Sequence, residues 1–436
     1  MAVPRRVVGL VAVALALSMV AGGCSGPEGV AGADPEPGQP SPTPSAPAAP
    51  TASPGPSARL SSDPSTRPSP GPPTRPSPGP STRPSSAPRP TACERLTATL
   101  TLREQVGQLF MVGISSGGLS SADARVIERR QIGSVILLGN STAGRSPIRR
   151  LTEAVRSVSG GPKDVDVMLT VDQEGGQVQR LRGPGFSSIP SARAQAELSD
   201  RELVSRAASW ARELQRAGID ADLAPVADVV PRRMEPVNRP IGLLRRGYGP
   251  EPEVVAAKVA SFVRGMDGAG IATAVKHFPG LGQVRGNTDF ERRVVDRSTT
   301  RRDEDLLAFR AGVAAGVDMV MVSSAFYSRI DQDRPAAFSP VVIGQLIRAD
   351  LGFGGVVISD DLAAEAFSDV RPAQRVLRFL RAGGDLAIVG DGELVDDMVS
   401  AVVTAAEDDP TVRNLVGRSA ARVVAMKERR GLADCG

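Results

Sequence analysis

Lys276 and His277 stand side by side at the end of a short apolar run, Ile271, Ala272, Ala274 and Val275, just before a Pro279-Gly280 break. An apolar run that stops in polar residues at a turn is how a strand delivers functional groups to the rim of a sheet or barrel. Carboxylates and arginines recur in the same setting. Asp172-Gln173-Glu174, with Arg180 close behind, follows the run Val165–Val171; Asp228 follows Ile219–Val226; and Val356–Ser359 runs directly into Asp360-Asp361. Carboxylates accept from hydroxyls while Lys and Arg donate to them, so such a set can hold the vicinal hydroxyls of a sugar. The same groups could ligate Mg²⁺ or hold a phosphate. Against phosphate, no glycine-rich turn opens a helix in P-loop spacing; against a metal, the carboxylates lie on different strands in no recognisable ligand spacing. His277 is the only histidine in 436 residues, which excludes any mechanism that needs two. Its plain alternative is a core histidine satisfied by one hydrogen bond.

The elements that must position these groups can be read from hydrophobic periodicity. Short apolar runs occur at Gln108–Ile114, Ile132–Leu138, Val165–Val171, Ile219–Val226, Ala272–His277, Met319–Val322, Val356–Ser359 and Leu386–Val389. Between them, Pro147–Val158, Asp200–Ala217, Glu253–Gly268, Arg302–Ala315 and Val341–Ala349 carry apolar residues at three- and four-residue spacing. Eight strands alternating with helices predict an α/β fold, a single (β/α)8 barrel of the TIM type, whose functional residues sit at the C-terminal ends of the strands.

The chain ahead of this region is of a different kind. Residues 1–23 pair Arg5 and Arg6 with an apolar stretch, Val7–Val20, that suits a secretory signal and is too short for a membrane-spanning helix. Ala21-Gly22-Gly23-Cys24 resembles the lipobox of bacterial lipoproteins, which implies acylation of Cys24 and an exported chain anchored to the outer face of the cell membrane. From residue 24 to 92 the composition is Pro, Ser, Thr, Ala and Gly, with Thr-Arg-Pro-Ser recurring at 66–69, 74–77 and 82–85. Without large apolar side chains such a stretch cannot offset the entropy of folding, so a disordered arm is expected, reaching up to roughly 200 Å if extended. Residues 93–436 have ordinary globular composition and are expected to form the one folded domain. With 52 basic against 48 acidic residues, the charge gives no argument for a nucleic-acid partner. Apart from Cys24, the two cysteines are Cys93 and Cys435, one at each end of the domain, and in an exported protein they predict a disulfide joining its termini.

Five motifs in order carry a resemblance. Asp172-Gln173-Glu174-Gly175-Gly176-x-Val178-x-Arg180, Ala224-Pro225-Val226-x-Asp228-Val229, Ile241-Gly242 with Arg246-Gly247-Tyr248-Gly249, Lys276-His277-Phe278-Pro279-Gly280 and Ser359-Asp360-Asp361-Leu362 resemble the motif series of family 3 glycoside hydrolases. The branch they are most similar to is that of β-N-acetylhexosaminidases working on peptidoglycan fragments, here in an actinobacterial lipoprotein form. The resemblance implies a retaining double displacement with Asp360 as nucleophile, and sugar binding by Asp172, Arg180, Arg246, Lys276 and His277. It implies no cofactor, since both half-reactions are acid/base steps at carboxyl groups. The expected substrate is a GlcNAc-β-1,4-MurNAc fragment, and the expected setting is wall recycling. The plain alternative for Asp360 is a helix N-cap after the seventh strand, a role that suits Asp361 better, and Asp228 reads as a structural hydrogen-bonding residue.

One stretch departs from the pattern. Where that branch carries a further histidine and then an Asp-x-His pair with the acid/base histidine, this chain has Leu281, Asn287 and Asp289. Asp289 is therefore the residue expected to take over protonation, with Glu291 in reserve. Enclosure by substrate and repulsion from Asp360 favour the protonated form of such a carboxyl, whereas pairing with Arg285 or Arg292 would oppose it. Two other readings follow from the same residues: a degenerate wall-glycan-binding lipoprotein, and a family 3 β-glucosidase or other exo-glycosidase. The latter normally draws its acid from a second domain, for which the sequence after the eighth strand leaves no room.

Overall fold

The eight apolar runs form eight parallel strands: β1 (Phe110–Ser115), β2 (Ser134–Leu138), β3 (Met168–Val171), β4 (Ala221–Asp222), β5 (Ala272–Phe278), β6 (Met319–Val322), β7 (Val356–Ser359) and β8 (Ala387–Val389). Each pairs with the next, β1 pairs with β8, and an Ile358–Leu386 bridge joins β7 to β8, so the sheet closes into the expected barrel. The structure, a computed structural model, describes residues 90–162 and 164–436. Cys24, the leader 1–23 and the Pro-rich stretch up to residue 89 lie outside the described residues.

A parallel strand covered on both faces must be apolar at nearly every position, which is why the runs were continuous. Met111, Ile136, Met168, Ala274, Met321 and Ile358 fill the barrel interior. Their strand neighbours Phe110, Val135, Leu169, Val275, Val320 and Val357 point outward under the helices. The helix Asp200–Arg216 begins where the Ser199 side chain accepts from the Glu202 amide, and it buries Leu203, Ala207, Trp210, Ala211 and Leu214 along one stripe. Trp210 meets Phe262 of the next helix, Pro252–Asp267, at 6.3 Å between ring centres. The run predicted as one helix over 302–315 is a short turn, Glu304–Leu306, continuing into Leu307–Ala314, and Val341–Asp350 winds in the wider i to i+5 form. Among the described residues, no helix is long and apolar enough to cross a membrane.

At the N-terminal ends of the strands one device occurs three times. Asp220, Asp318 and Asp385 stand just ahead of β4, β6 and β8, and each accepts the amide of the second residue of the preceding strand: Leu169 at 2.7 Å, Thr273 at 3.2 Å and Val357 at 2.8 Å. Each is also paired with arginine: Asp220 with Arg156, Asp318 with Arg430, and Asp385 with Arg348 and Arg422. Lys427, on the C-terminal helix Pro410–Arg429, closes this floor by donating to Gln108 Oε1, Gly133 O and Asp166 O at 2.7, 2.6 and 2.8 Å. Beside it, Cys93 on the helix Ala92–Thr99 is disulfide-bonded to Cys435, tying together two points 342 residues apart.

Candidate active site

At the other end of the strands the polar residues turn toward each other. The loop after β3 makes a small hairpin, Gln173–Gly175 against Val178–Gln179, turning at Gly175 and Gly176 with φ of 103° and 57°. A Cβ on Gly175 would lie 2.3 Å from Pro190 O, so this position accepts no side chain. The hairpin presents Asp172 and Glu174 to Lys276, which has reached the rim on β5. Lys276 Nζ lies 2.6 Å from Asp172 Oδ1 and 2.7 Å from Glu174 Oε1. Arg246, brought in by the long loop after β4, grips Glu174 with Nε at 2.8 Å and Nη2 at 2.7 Å and donates Nη1 to Pro240 O.

These four groups form a charge network at the rim. Burial works against the Glu174 anion, but Arg246 and Lys276 outweigh it and hold its carboxyl well below the usual range. Burial likewise opposes the Lys276 ammonium, and Asp172 and Glu174 overcome it and push its pKa up. Beneath them Asp222, at the end of β4, is fully buried; it accepts the Gln173 amide through Oδ1 at 2.9 Å. Burial, with Asp172 and Glu174 nearby, pushes its carboxyl up to about 8, so it stays neutral at pH 7 and adds no charge under the network.

His277 is clamped rather than free. Asp228 Oδ2 meets its Nδ1 at 2.8 Å, while Asp228 Oδ1 accepts the amides of His277 at 3.0 Å and Leu281 at 2.8 Å. The structural role read for Asp228 is thus realised as a bracket on both ends of the β5 turn. Asn238 is a second bracket: its Nδ2 donates to Leu281 O and Val284 O, and its Oδ1 accepts from Ile241 and Gly242. The two loops touch so closely that a Cβ on Gly282 would sit 1.6 Å from Val229 O.

Unlike Asp172, Glu174 and Asp228, Asp360 stands in no ion pair among the described residues, a condition it shares with Asp222, Asp289 and Asp361. Its amide donates to Val322 O, and one carboxylate oxygen, Oδ1, accepts the Asp361 amide at 3.0 Å. Burial pushes this carboxyl up to about 6; neighbouring His277 pulls it down and Asp289 pushes it further up. Asp361 is a loop cap, accepting from Ala363 at 2.8 Å and Gly390 at 2.9 Å. Asp289 is exposed at the tip of the β5 loop, its amide held by Asn287 Oδ1 at 3.0 Å. Arg292 pairs with Glu365 and Asp369 rather than with Asp289, and Glu291 is engaged by Arg239 and the Asn287 amide, which leaves it a brace. Arg180 lies to one side, donating Nη1 to Asn140 Oδ1 at 3.3 Å, with Nε buried and unpartnered. Sequence reasoning had quoted Glu174 without giving it a role; two carboxylates at i and i+2 after a strand, with a lysine on a later one, were the signal.

A rim of charge-locked hydrogen-bonding groups beside a carboxylate, Asp360, that keeps one oxygen free of protein partners is the equipment of a barrel enzyme for hydroxyl-rich ligands. The model of the glycosyl hydrolase family 3 N-terminal domain matches residues 101–426, and the chain belongs to that family. It is a glycoside hydrolase. It is 34% identical over 322 residues to the beta-hexosaminidase of Stenotrophomonas maltophilia (strain K279a), covering 72% of this chain and 92% of that one. Among solved structures, it is similar to the beta-N-acetylhexosaminidase of Beutenbergia cavernae, with 42% identity, a TM-score of 0.74, and coverage of 76% of this chain and 99% of that one. It is also similar to a glycoside hydrolase family 3 beta-N-acetylglucosaminidase from Paenibacillus, with 30% identity, a TM-score of 0.70, and coverage of 77% and 63%.

Proposed function

We propose that this enzyme, a β-N-acetylhexosaminidase, releases terminal GlcNAc from peptidoglycan-derived GlcNAc-β-1,4-MurNAc fragments by a retaining double displacement at Asp360. The observation that carries the mechanism is the contrast at the rim: Glu174, Asp172 and Asp228 are committed to Lys276, Arg246 and His277, while Asp360 keeps an oxygen free of protein partners. In the first step that oxygen bonds to the anomeric carbon, the bond from that carbon to the leaving sugar breaks, and the leaving oxygen takes a proton from Asp289. In the second, water attacks the anomeric carbon, Asp289 takes its proton, and the ester to Asp360 breaks. Asp172, Lys276 and Arg246 orient the sugar hydroxyls, with Arg180 and His277 completing the pocket. Its preorganised charges need no rearrangement when substrate enters.

The reading extends to location: an exported chain acylated on Cys24 whose arm lets the barrel reach wall glycan. The Cys93–Cys435 disulfide supports it, since such bonds persist in oxidising compartments.

The test is turnover of 4-nitrophenyl β-N-acetylglucosaminide, with the β-glucoside alongside. Release from the GlcNAc substrate is expected, and Asp360→Ala should lower kcat by about four orders of magnitude or more with the fold intact; near-wild-type turnover by that variant would remove Asp360 as nucleophile. Asp289→Asn should slow a natural disaccharide far more than the nitrophenyl substrate, whose leaving group needs little acid help. Equal losses on both would end its role as acid. Silence on both nitrophenyl sugars, with GlcNAc-MurNAc still bound, would favour the wall-binding reading, to which the missing loop histidine already points.

A further inference from the structure

Under the ion network lies a carboxyl that no cation answers. Lys276 and Arg246 supply two positive charges and Asp172 and Glu174 two negative ones, so the network is balanced as it stands. Asp222, 0% exposed at the end of β4, is a third carboxyl. Its Oδ1 accepts the Gln173 amide at 2.9 Å, and its Oδ2, also buried, has no hydrogen-bond partner among the described residues. An anion so enclosed, with no cation bonded to it, is far costlier than the neutral acid, so the position keeps its proton.

The bond to Gln173 matters for what Gln173 carries. Its side chain closes the hairpin after β3, accepting the Leu181 amide at 3.0 Å and donating to Leu181 O at 2.8 Å. Asp172 and Glu174 are its two chain neighbours. Beyond them, Gln195 Nε2 donates to Glu174 O at 2.9 Å, and the Tyr248 hydroxyl donates to Gln195 Oε1 at 3.3 Å. The backbone that aims the two carboxylates is thus held at Gln173 and Glu174 by uncharged groups, which leave Lys276 and Arg246 to the carboxylates alone. We propose that Asp222 is a positioning residue that works only in its protonated form: it fixes the hairpin carrying Asp172 and Glu174, and on losing its proton it repels both and competes for Lys276, which loosens the hold of the rim on the sugar. This role rests on the sugar binding proposed above and adds to it an upper pH limit and the residue that sets it.

Burial, with Asp172 and Glu174 beside it, pushes the Asp222 carboxyl up to about 8. Lys276 on β5 and Arg246 and Tyr248 on the loop after β4 are held above their ordinary values and Glu174 below, so none of these four changes charge between pH 7 and 9. The test is kcat and KM of the full chain on 4-nitrophenyl β-N-acetylglucosaminide across that range, beside Asp222→Asn and Asp222→Ala. Each normalised to its own value at pH 7, kcat/KM of the parent should fall about tenfold by pH 9, through KM, and that of Asp222→Asn should stay level. At pH 7, Asp222→Ala should lie about tenfold below Asp222→Asn, the scale of one buried hydrogen bond, because Asn keeps an acceptor for the Gln173 amide and Ala does not. A parallel fall in Asp222→Asn would overturn the proposal, as would a parent that stays level or falls through kcat alone. Turnover of the β-glucoside instead, or binding of GlcNAc-MurNAc without turnover, would overturn the function proposed above, and the same pH comparison in KM or Kd would still decide the role of Asp222.

Discussion

Two lysines are sunk at opposite ends of this barrel, Lys276 at 2% exposure and Lys427 at 0%, and their partners are of different kinds. Lys276 sits between two carboxylates, Asp172 and Glu174, which hold it charged against burial. Lys427 is solvated by two backbone carbonyls and an amide oxygen, dipoles without net charge, and burial pushes it down to about 7. At the rim, ions are gathered and fixed so that a ligand finds them already in place. At the floor the hydrogen bonds close the end of the barrel and the charge itself is incidental. In barrels of this type the C-terminal rim carries function and the opposite end carries stability, and the two lysines show that division in one residue type.

The comparison is broken most directly at the rim. Lys276→Met should lower kcat/KM by about 10²–10³, the scale of breaking a buried pair, because Asp172 and Glu174 are left facing each other. A loss of thermal stability with normal kinetics would instead make Lys276 a floor-type residue. Lys427→Met should do the reverse, costing about 3 kcal/mol because Gln108 Oε1 and Asp166 O lose their donor while Gly133 O keeps only the Met168 amide, with kcat unchanged. Chemical denaturation of the two variants beside the parent checks both, and a kinetic defect in the Lys427 variant would erase the division.

The smallest effect, and the most discriminating, is in pH. Asp360 is pushed up to about 6, so if it is the nucleophile proposed above, kcat/KM should fall below that pH as it gains a proton. Its stability term runs the other way. With the folded value above the unfolded reference of about 3.9, the folded state binds more protons between the two, and this term favours the fold as pH drops from about 6 to about 4. Lys427 is a base with its folded value, about 7, below its unfolded reference of about 10.4. The unfolded state then binds more protons in that window, and stability should rise with pH across it. The rise should be smaller in Lys427→Met, and identical slopes in the two proteins would show that the three oxygens hold the ammonium at its ordinary value.

How far each end could be read from sequence differs for the same physical reason. The strands were legible because each is buried on both faces and therefore written as a contiguous apolar run; their ends named Asp172, Asp228, Lys276, His277 and Asp360 in advance. The strand ahead of Asp228 was the least well bounded. Only Ala221–Asp222 of the 219–226 run pairs as regular strand; beyond it the backbone stays tied to its neighbours by single hydrogen bonds, Leu223 N to Val171 O and Ala274 N to Ala224 O, and by the bridge from Val226 to Lys276. Asp222 was hidden in that run, and Asn238 in a loop with no periodicity to mark it.

The sequence by itself determined the alternation of strand and helix, the closed barrel that follows from it, and the kinds of side chain each strand would bring to its end, because these depend on neighbours a few residues apart. Only the tertiary structure decided which of those side chains are spent on each other. Lys276 meets Asp172 across 104 residues, His277 meets Asp228 across 49, and Lys427 meets Gln108 across 319. No local pattern encodes such distances. Closing the barrel brings these groups within 3 Å, and it is this pairing that locks Glu174 to Lys276 and Arg246 while leaving Asp360 without an ionic partner.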